Sequence, residues 1–109
     1  MQDLRFSIIQ SPLHWEDRDT NRTQFSRLLD SIEACDVVIL PEMFTTGFTM
    51  NVEPMSELMS GPTVNWMKNE AKRVSAVIGG SVIIKDNDRF LNRFIWAQPD
   101  GQIDHRLYL

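Results

Sequence analysis

Cysteine occurs once in the 109 residues, as Cys35. One thiol cannot close an internal disulfide, so a disulfide-stapled secreted domain is excluded and a reduced, cytoplasmic setting is the expectation. A surplus of positive charge is also missing. Eleven Lys and Arg stand against 15 Asp and Glu, a net charge of −4, and no basic face forms that would suit nucleic acid. Long apolar runs are absent: stretches such as Val37–Leu40 are far too short to span a bilayer, so no membrane partner is expected. The opening Met1–Arg5 has no basic segment leading into an apolar core, which argues against a secretory leader. His14 and His105 lack the spacing of a zinc site and have no second cysteine to help them, so no metal is expected. No internal repeat, low-complexity segment or linker interrupts the chain.

What is present is the composition of an ordinary globular protein, 42% apolar and 24% charged. Leu4, Phe6, Ile8 and Ile9 read as a first strand, closed by Ser11-Pro12. Asn21–Ala34 reads as a helix, because Phe25, Leu28, Leu29 and Ile32 fall at i, i+3, i+4 and i+7; Thr20 or Asn21 is the expected cap. Asp36–Leu40 is a continuous β-branched run, expected as a strand buried on both faces and closed by Pro41. Glu42–Ser60 is a long excursion with four methionines (Met43, Met50, Met55 and Met59). Gly61-Pro62-Thr63 opens a second helix, and Val64, Met67, Ala71 and Val74 give its apolar spacing. Ala76–Ile84 and Phe90–Ala97 form a strand pair around the Asp86-Asn87-Asp88 turn. After Pro99-Asp100-Gly101, Gln102–Leu109 starts a fifth strand or a loop. The order β-α-β-(loop)-α-β-β is an α/β pattern with a right-handed crossover and a parallel pair.

Glu42 is the residue most open to a chemical reading. It directly follows a buried strand, and in α/β sheets the C-terminal ends of strands open onto the ligand crevice. A carboxylate there, beside apolar Met43 and Phe44, would be partly desolvated and suited to general-base work. The commoner use of such a glutamate is to cap a backbone N–H or pair with a lysine, and periodicity alone favours that use. Cys35 ends a helix, where the macrodipole disfavours a thiolate, so it reads as an inert packing residue. Gly79-Gly80-Ser81 lies between β-branched runs and opens no helix; close packing explains it better than a phosphate loop. Trp66 and Met67 read as core or interface, and the loop methionines as loop packing or the lining of an adaptable pocket.

The run Leu40-Pro41-Glu42-Met43-Phe44-Thr45-Thr46-Gly47-Phe48 resembles the first catalytic motif of the nitrilase superfamily of carbon–nitrogen hydrolases, most closely its omega-amidase-like branch. Arg5–Gln10, His14-Trp15-Glu16-Asp17 with Asn21, Gly61–Met67, Gly80-Ser81-Val82, Asn92-Arg93-Phe94 and Pro99-Asp100-Gly101 resemble further segments of that family, in order. The resemblance implies an α/β chain that is the N-terminal half of an αββα nitrilase-type sandwich, with residues 1–109 an incomplete hydrolase domain. It implies hydrolysis of a small linear amide to carboxylate and ammonia by a glutamate, a lysine and a cysteine, with no cofactor. By the same resemblance Glu42 is the general base, and Phe44 shapes the substrate pocket.

The family's lysine follows this last hairpin, where this chain reads Ile103-Asp104-His105-Arg106-Leu107-Tyr108-Leu109. Either His105 takes the lysine's place or the lysine has been lost. The family's cysteine motif lies further along than Leu109, and Cys35 does not match it. A chain with the glutamate alone is expected to be inactive by itself, and to pair as a homodimer or with a complementing C-terminal half. A small ligand-binding α/β module without catalysis is the remaining alternative.

Overall fold

The computed structural model describes residues 3–108; Met1, Gln2 and Leu109, on which parts of the readings of the two chain ends fell, lie outside the described residues. Strand β1 (Phe6–Ile8) is followed by helix α1 (Arg18–Asp30), strand β2 (Val37–Ile39), a short helix α2 (Val52–Met55) and helix α3 (Pro62–Val74). Three strands complete the order: β3 (Val77–Asp86), β4 (Arg89–Ala97) and β5 (Ile103–Tyr108). They form one sheet in chain order. β1, β2 and β3 are parallel neighbours, and β3, β4 and β5 antiparallel ones. The parallel pairs need crossovers, which α1 and α3 supply.

Local chemistry sets the helix ends. α1 begins earlier than the apolar spacing indicates, because the Asp17 carboxylate accepts from the Thr20 N–H at 3.1 Å and the Thr20 hydroxyl at 2.8 Å. Asp17 is thus the cap, in place of Thr20 or Asn21. The helix also stops at Asp30, short of Ala34. Pro62 stands in the first turn of α3, where its missing N–H costs nothing, and Ser75 ends that helix in the left-handed region at φ 56°. The excursion after β2 contains α2, one turn that no periodicity announces.

Both long helices cover the same face of the sheet. Phe25 and Leu29 of α1, and Val64, Met67 and Ala71 of α3, join Val38, Ile78, Val82, Ile84, Ile95 and Ala97 in one core. The ladder puts those strand residues on a single face, since Val38 pairs with Ile78, Ile78 with Ala97, and Gly80 with Ile95. The opposite face carries Phe6, Ile8, Ile39, Phe94 and Trp96, and no described helix covers it. Phe6 and Ile8 are 57% and 71% exposed. One helical layer on one sheet with its far face open is the arrangement that the resemblance to the nitrilase superfamily implies for half of an αββα sandwich.

Candidate active site

Beyond β2 the chain keeps its parallel register for one more residue: the Leu40 N–H donates to the Gly79 carbonyl at 2.8 Å. Pro41 has no N–H to continue the ladder, and a tight turn follows. Met43 takes φ 49°, an uncommon conformation for a residue with a Cβ. Its N–H donates to the Ser81 hydroxyl at 2.8 Å, and its carbonyl accepts from the N–H groups of Thr46 at 3.1 Å and Gly47 at 2.9 Å. Gly47 has φ 79°, and a Cβ there would stand 3.1 Å from the Trp15 ring.

A second anchor comes from α1. Asn21 is fully buried. Its Nδ2 donates to the Thr45 carbonyl at 2.6 Å and to the His14 carbonyl at 2.7 Å, while its Oδ1 accepts from the His14 N–H at 2.8 Å. One amide therefore ties the first loop, the first helix and the turn after β2 together. Buried polar groups hold this kind of rigid junction only when every donor and acceptor is met, as here.

Phe44 lies in the core and is fully enclosed. It meets the Phe25 ring edge-on at 5.6 Å and the Trp66 ring at 5.7 Å, and a Cβ on Gly80 would come within 2.9 Å of it. The ring turns toward the helices and is packed between them and the sheet. Close approach to Phe44 also accounts for Gly80, as packing and not as a phosphate loop.

Glu42 points the other way and is exposed. The partial desolvation expected from Met43 and Phe44 is not found, because both of those side chains turn inward while the carboxylate stands over the sheet face that no described helix covers. Asn92 of β4 reaches it, Nδ2 donating to Glu42 Oε1 at 3.4 Å. In register Asn92 pairs with Ile83 of β3 and with residue 108 of β5. His105 pairs with Ile95, three positions along β5. At ~3.3 Å per residue that is roughly 10 Å from the position beside Asn92, so the structure does not bring His105 to Glu42. Instead His105, Asp104, Phe94 and Trp96 line a cavity of about 390 Å³.

Cys35 precedes β2 whereas Glu42 follows it, so they stand at opposite ends of the strand. The Cys35 thiol donates to the Val37 carbonyl at 3.6 Å, in keeping with a packing role. His14 Nε2 meets Gln24 Oε1 at 2.7 Å on the surface. Among the described residues no group of three or more His, Cys, Asp or Glu could hold a metal ion. No helix among them is long and apolar enough to cross a membrane.

A separate cavity of about 640 Å³ lies where α1 and α3 begin, lined in part by Asp19, Arg22, Glu57 and Gly61. Its buried carboxylate is already engaged: Glu57 accepts from the Thr63 N–H at 2.8 Å and from the Thr63 hydroxyl, and Arg22 lies 3.7 Å away. The sequence gives Glu57 no role; Asn21 and Ser81 lie in segments that it marks, but their partners are fixed only by the tertiary fold. Asn92 stands within a segment that the sequence does mark, Asn92-Arg93-Phe94.

Comparison with known proteins adds to this geometry. The sequence profile of the carbon–nitrogen hydrolase family matches residues 5–108. An omega-amidase of Yersinia enterocolitica, YafV, is 43% identical over 103 residues, covering 94% of this chain and 40% of the relative. A 2-oxoglutaramate amidase of Bacillus subtilis is 31% identical over 70 residues, 62% of this chain and 27% of the relative. Among solved structures, XC1258 of Xanthomonas campestris, a CN-hydrolase superfamily protein, superposes with a TM-score of 0.92 at 40% identity, over 96% of this chain and 40% of that one. The chain thus spans about 40% of the length of YafV and XC1258.

Proposed function

The chain belongs to the carbon–nitrogen hydrolase family, and from that premise we propose that it carries the general base, Glu42, of an amidase acting on the terminal amide of a small 2-oxo dicarboxylic acid monoamide. The observation that carries the proposal is the position of Glu42. It stands just beyond β2 on a turn pinned by Ser81 and Asn21, with its carboxylate exposed on the open side of the sheet beside Asn92. A base needs this combination of a fixed backbone and an accessible oxygen. Omega-amidase relatives at 39–43% identity support the substrate class.

In this reaction Glu42 takes the proton of a cysteine thiol, and the thiolate adds to the amide carbon. A lysine ammonium stabilises the oxyanion that forms. Glu42 returns the proton to the leaving nitrogen as the C–N bond breaks, giving ammonia and a thioester. It then takes a proton from water, whose oxygen adds to the thioester carbon; as the C–S bond breaks Glu42 returns that proton to the leaving sulfur, which restores the thiol and releases the carboxylic acid product. No redox or organic cofactor enters this scheme. Phe44 acts from behind, as a positioning residue that wedges the turn against Gly80.

Cys35 does not serve as the nucleophile, because the length of β2 separates it from Glu42. The lysine and the cysteine of the family belong to the C-terminal part of the domain, which we place on the open sheet face bearing Phe6, Ile8, Phe94 and Trp96; a homodimer through the same face is the alternative assembly. Ammonia release from 2-oxoglutaramate tests the reading, with the chain alone and mixed with the separately expressed C-terminal part of an omega-amidase relative. Turnover by the mixture and none by either part is expected. No turnover from a mixture that sediments as a complex would contradict it.

A further inference from the structure

We infer that Asn92 is a positioning residue for Glu42, its carboxamide fixing the direction in which the carboxylate presents its oxygens. The inference rests on the reading of Glu42 as the base. Asn92 sits in β4, held on one side by Ile83 of β3 and on the other by residue 108 of β5. Its Nδ2 donates to Glu42 Oε1 at 3.4 Å, a long contact of the kind that tightens when an active site is completed. An ionised carboxylate can only accept, so the amide nitrogen must face Glu42 and the orientation of the amide is fixed. Its Oδ1 is then turned away from Glu42, and it is buried with no hydrogen-bond partner among the described residues. An asparagine kept only for structure meets both halves of its amide, as Asn21 does; Asn92 spends one half on Glu42 and leaves the other unmet.

The test is nuclear magnetic resonance of the isotopically labelled full chain. Across a pH titration the Asn92 Nδ2–H signals are expected to move with the same midpoint as the Glu42 side-chain carboxyl carbon, and to stay flat in Glu42→Gln. Three-bond couplings are expected to show one preferred Glu42 rotamer in the native chain and averaging in Asn92→Leu. An Asn92 signal that stays flat while Glu42 titrates would overturn the inference, and this arm needs no variant that might fail to fold. Ammonia release by the complemented protein keeps the two ideas apart. A flat Asn92 signal with turnover abolished in Glu42→Gln removes the positioning role and leaves the base standing. A shared midpoint with turnover indifferent to Glu42→Gln overturns both.

Discussion

The backbone N–H of Met43 donates to the hydroxyl of Ser81 at 2.8 Å, joining the turn that carries Glu42 to the middle of the sheet. Both groups are buried, so the bond cannot be exchanged for one to water. Ser81→Ala strands the Met43 N–H, and the expected loss is about 1–3 kcal/mol of unfolding free energy. Urea denaturation measures it. An unchanged midpoint would mean that the turn is held without Ser81.

Asn21 carries a heavier load, because three hydrogen bonds meet on one side chain. Asn21→Leu leaves the His14 and Thr45 carbonyls unmet and is expected to cost roughly 3 kcal/mol or more. Asn21→Asp keeps the acceptor but loses both Nδ2 donations and places a charge in the core, so it should be no milder. A cooperative melt close to the native one in either variant would contradict the role given to this residue.

Gly80 and Phe44 form a matched pair. A methyl group at Gly80 would stand 2.9 Å from the Phe44 ring. Gly80→Ala is expected to destabilise by about 1–3 kcal/mol through overpacking, and Phe44→Leu should relieve part of that cost in the double variant. Additive losses in the double-mutant cycle would show that the two do not press on each other.

Acid should weaken the fold through two carboxylates. The Thr20 hydroxyl, and then the Thr20 N–H, hold Asp17 below the ordinary carboxylate range, and the Arg93 guanidinium does the same for Asp86. Groups depressed in the folded state stabilise fully above the unfolded carboxylate value of about 4. That contribution is lost as pH falls through the lower folded values. The urea midpoint is therefore expected to fall below about pH 4, and to fall less steeply in Asp17→Ala and Asp86→Ala. An acid limb unchanged in the double variant would contradict this assignment.

Much of this architecture was legible in the chain. The spacing of Phe25 and Leu29 predicts α1, and both are core residues. The β-branched run before Pro41 predicts β2 and puts Glu42 at its end. Less was legible at the site itself. The sequence places Phe44 beside Glu42, but the positive φ of Met43 between them sends the two side chains to opposite sides, and no composition rule reports that. Asn21 fits a cap by residue type; its burial depends on carbonyls of His14 and Thr45 that only the folded loops bring near. One turn of helix at Val52–Met55 is too short to show a period.

The open sheet face sets how the chain behaves in solution. With Phe6 and Ile8 exposed on the edge strand β1, concentration-dependent association is expected. Sedimentation of the native chain should show oligomers, and Phe6→Lys with Ile8→Lys should shift them toward monomer. A monodisperse native monomer that binds no apolar dye would contradict the proposed seat for a second half.

Replacing the carboxylate of Glu42 by an amide tests the central claim most directly. In the complemented protein, ammonia release from 2-oxoglutaramate is compared between the native chain and Glu42→Gln at equal complex concentration. A loss of roughly 10²–10⁴-fold in kcat is predicted for removal of a general base. Turnover at the native rate would contradict the assignment of Glu42.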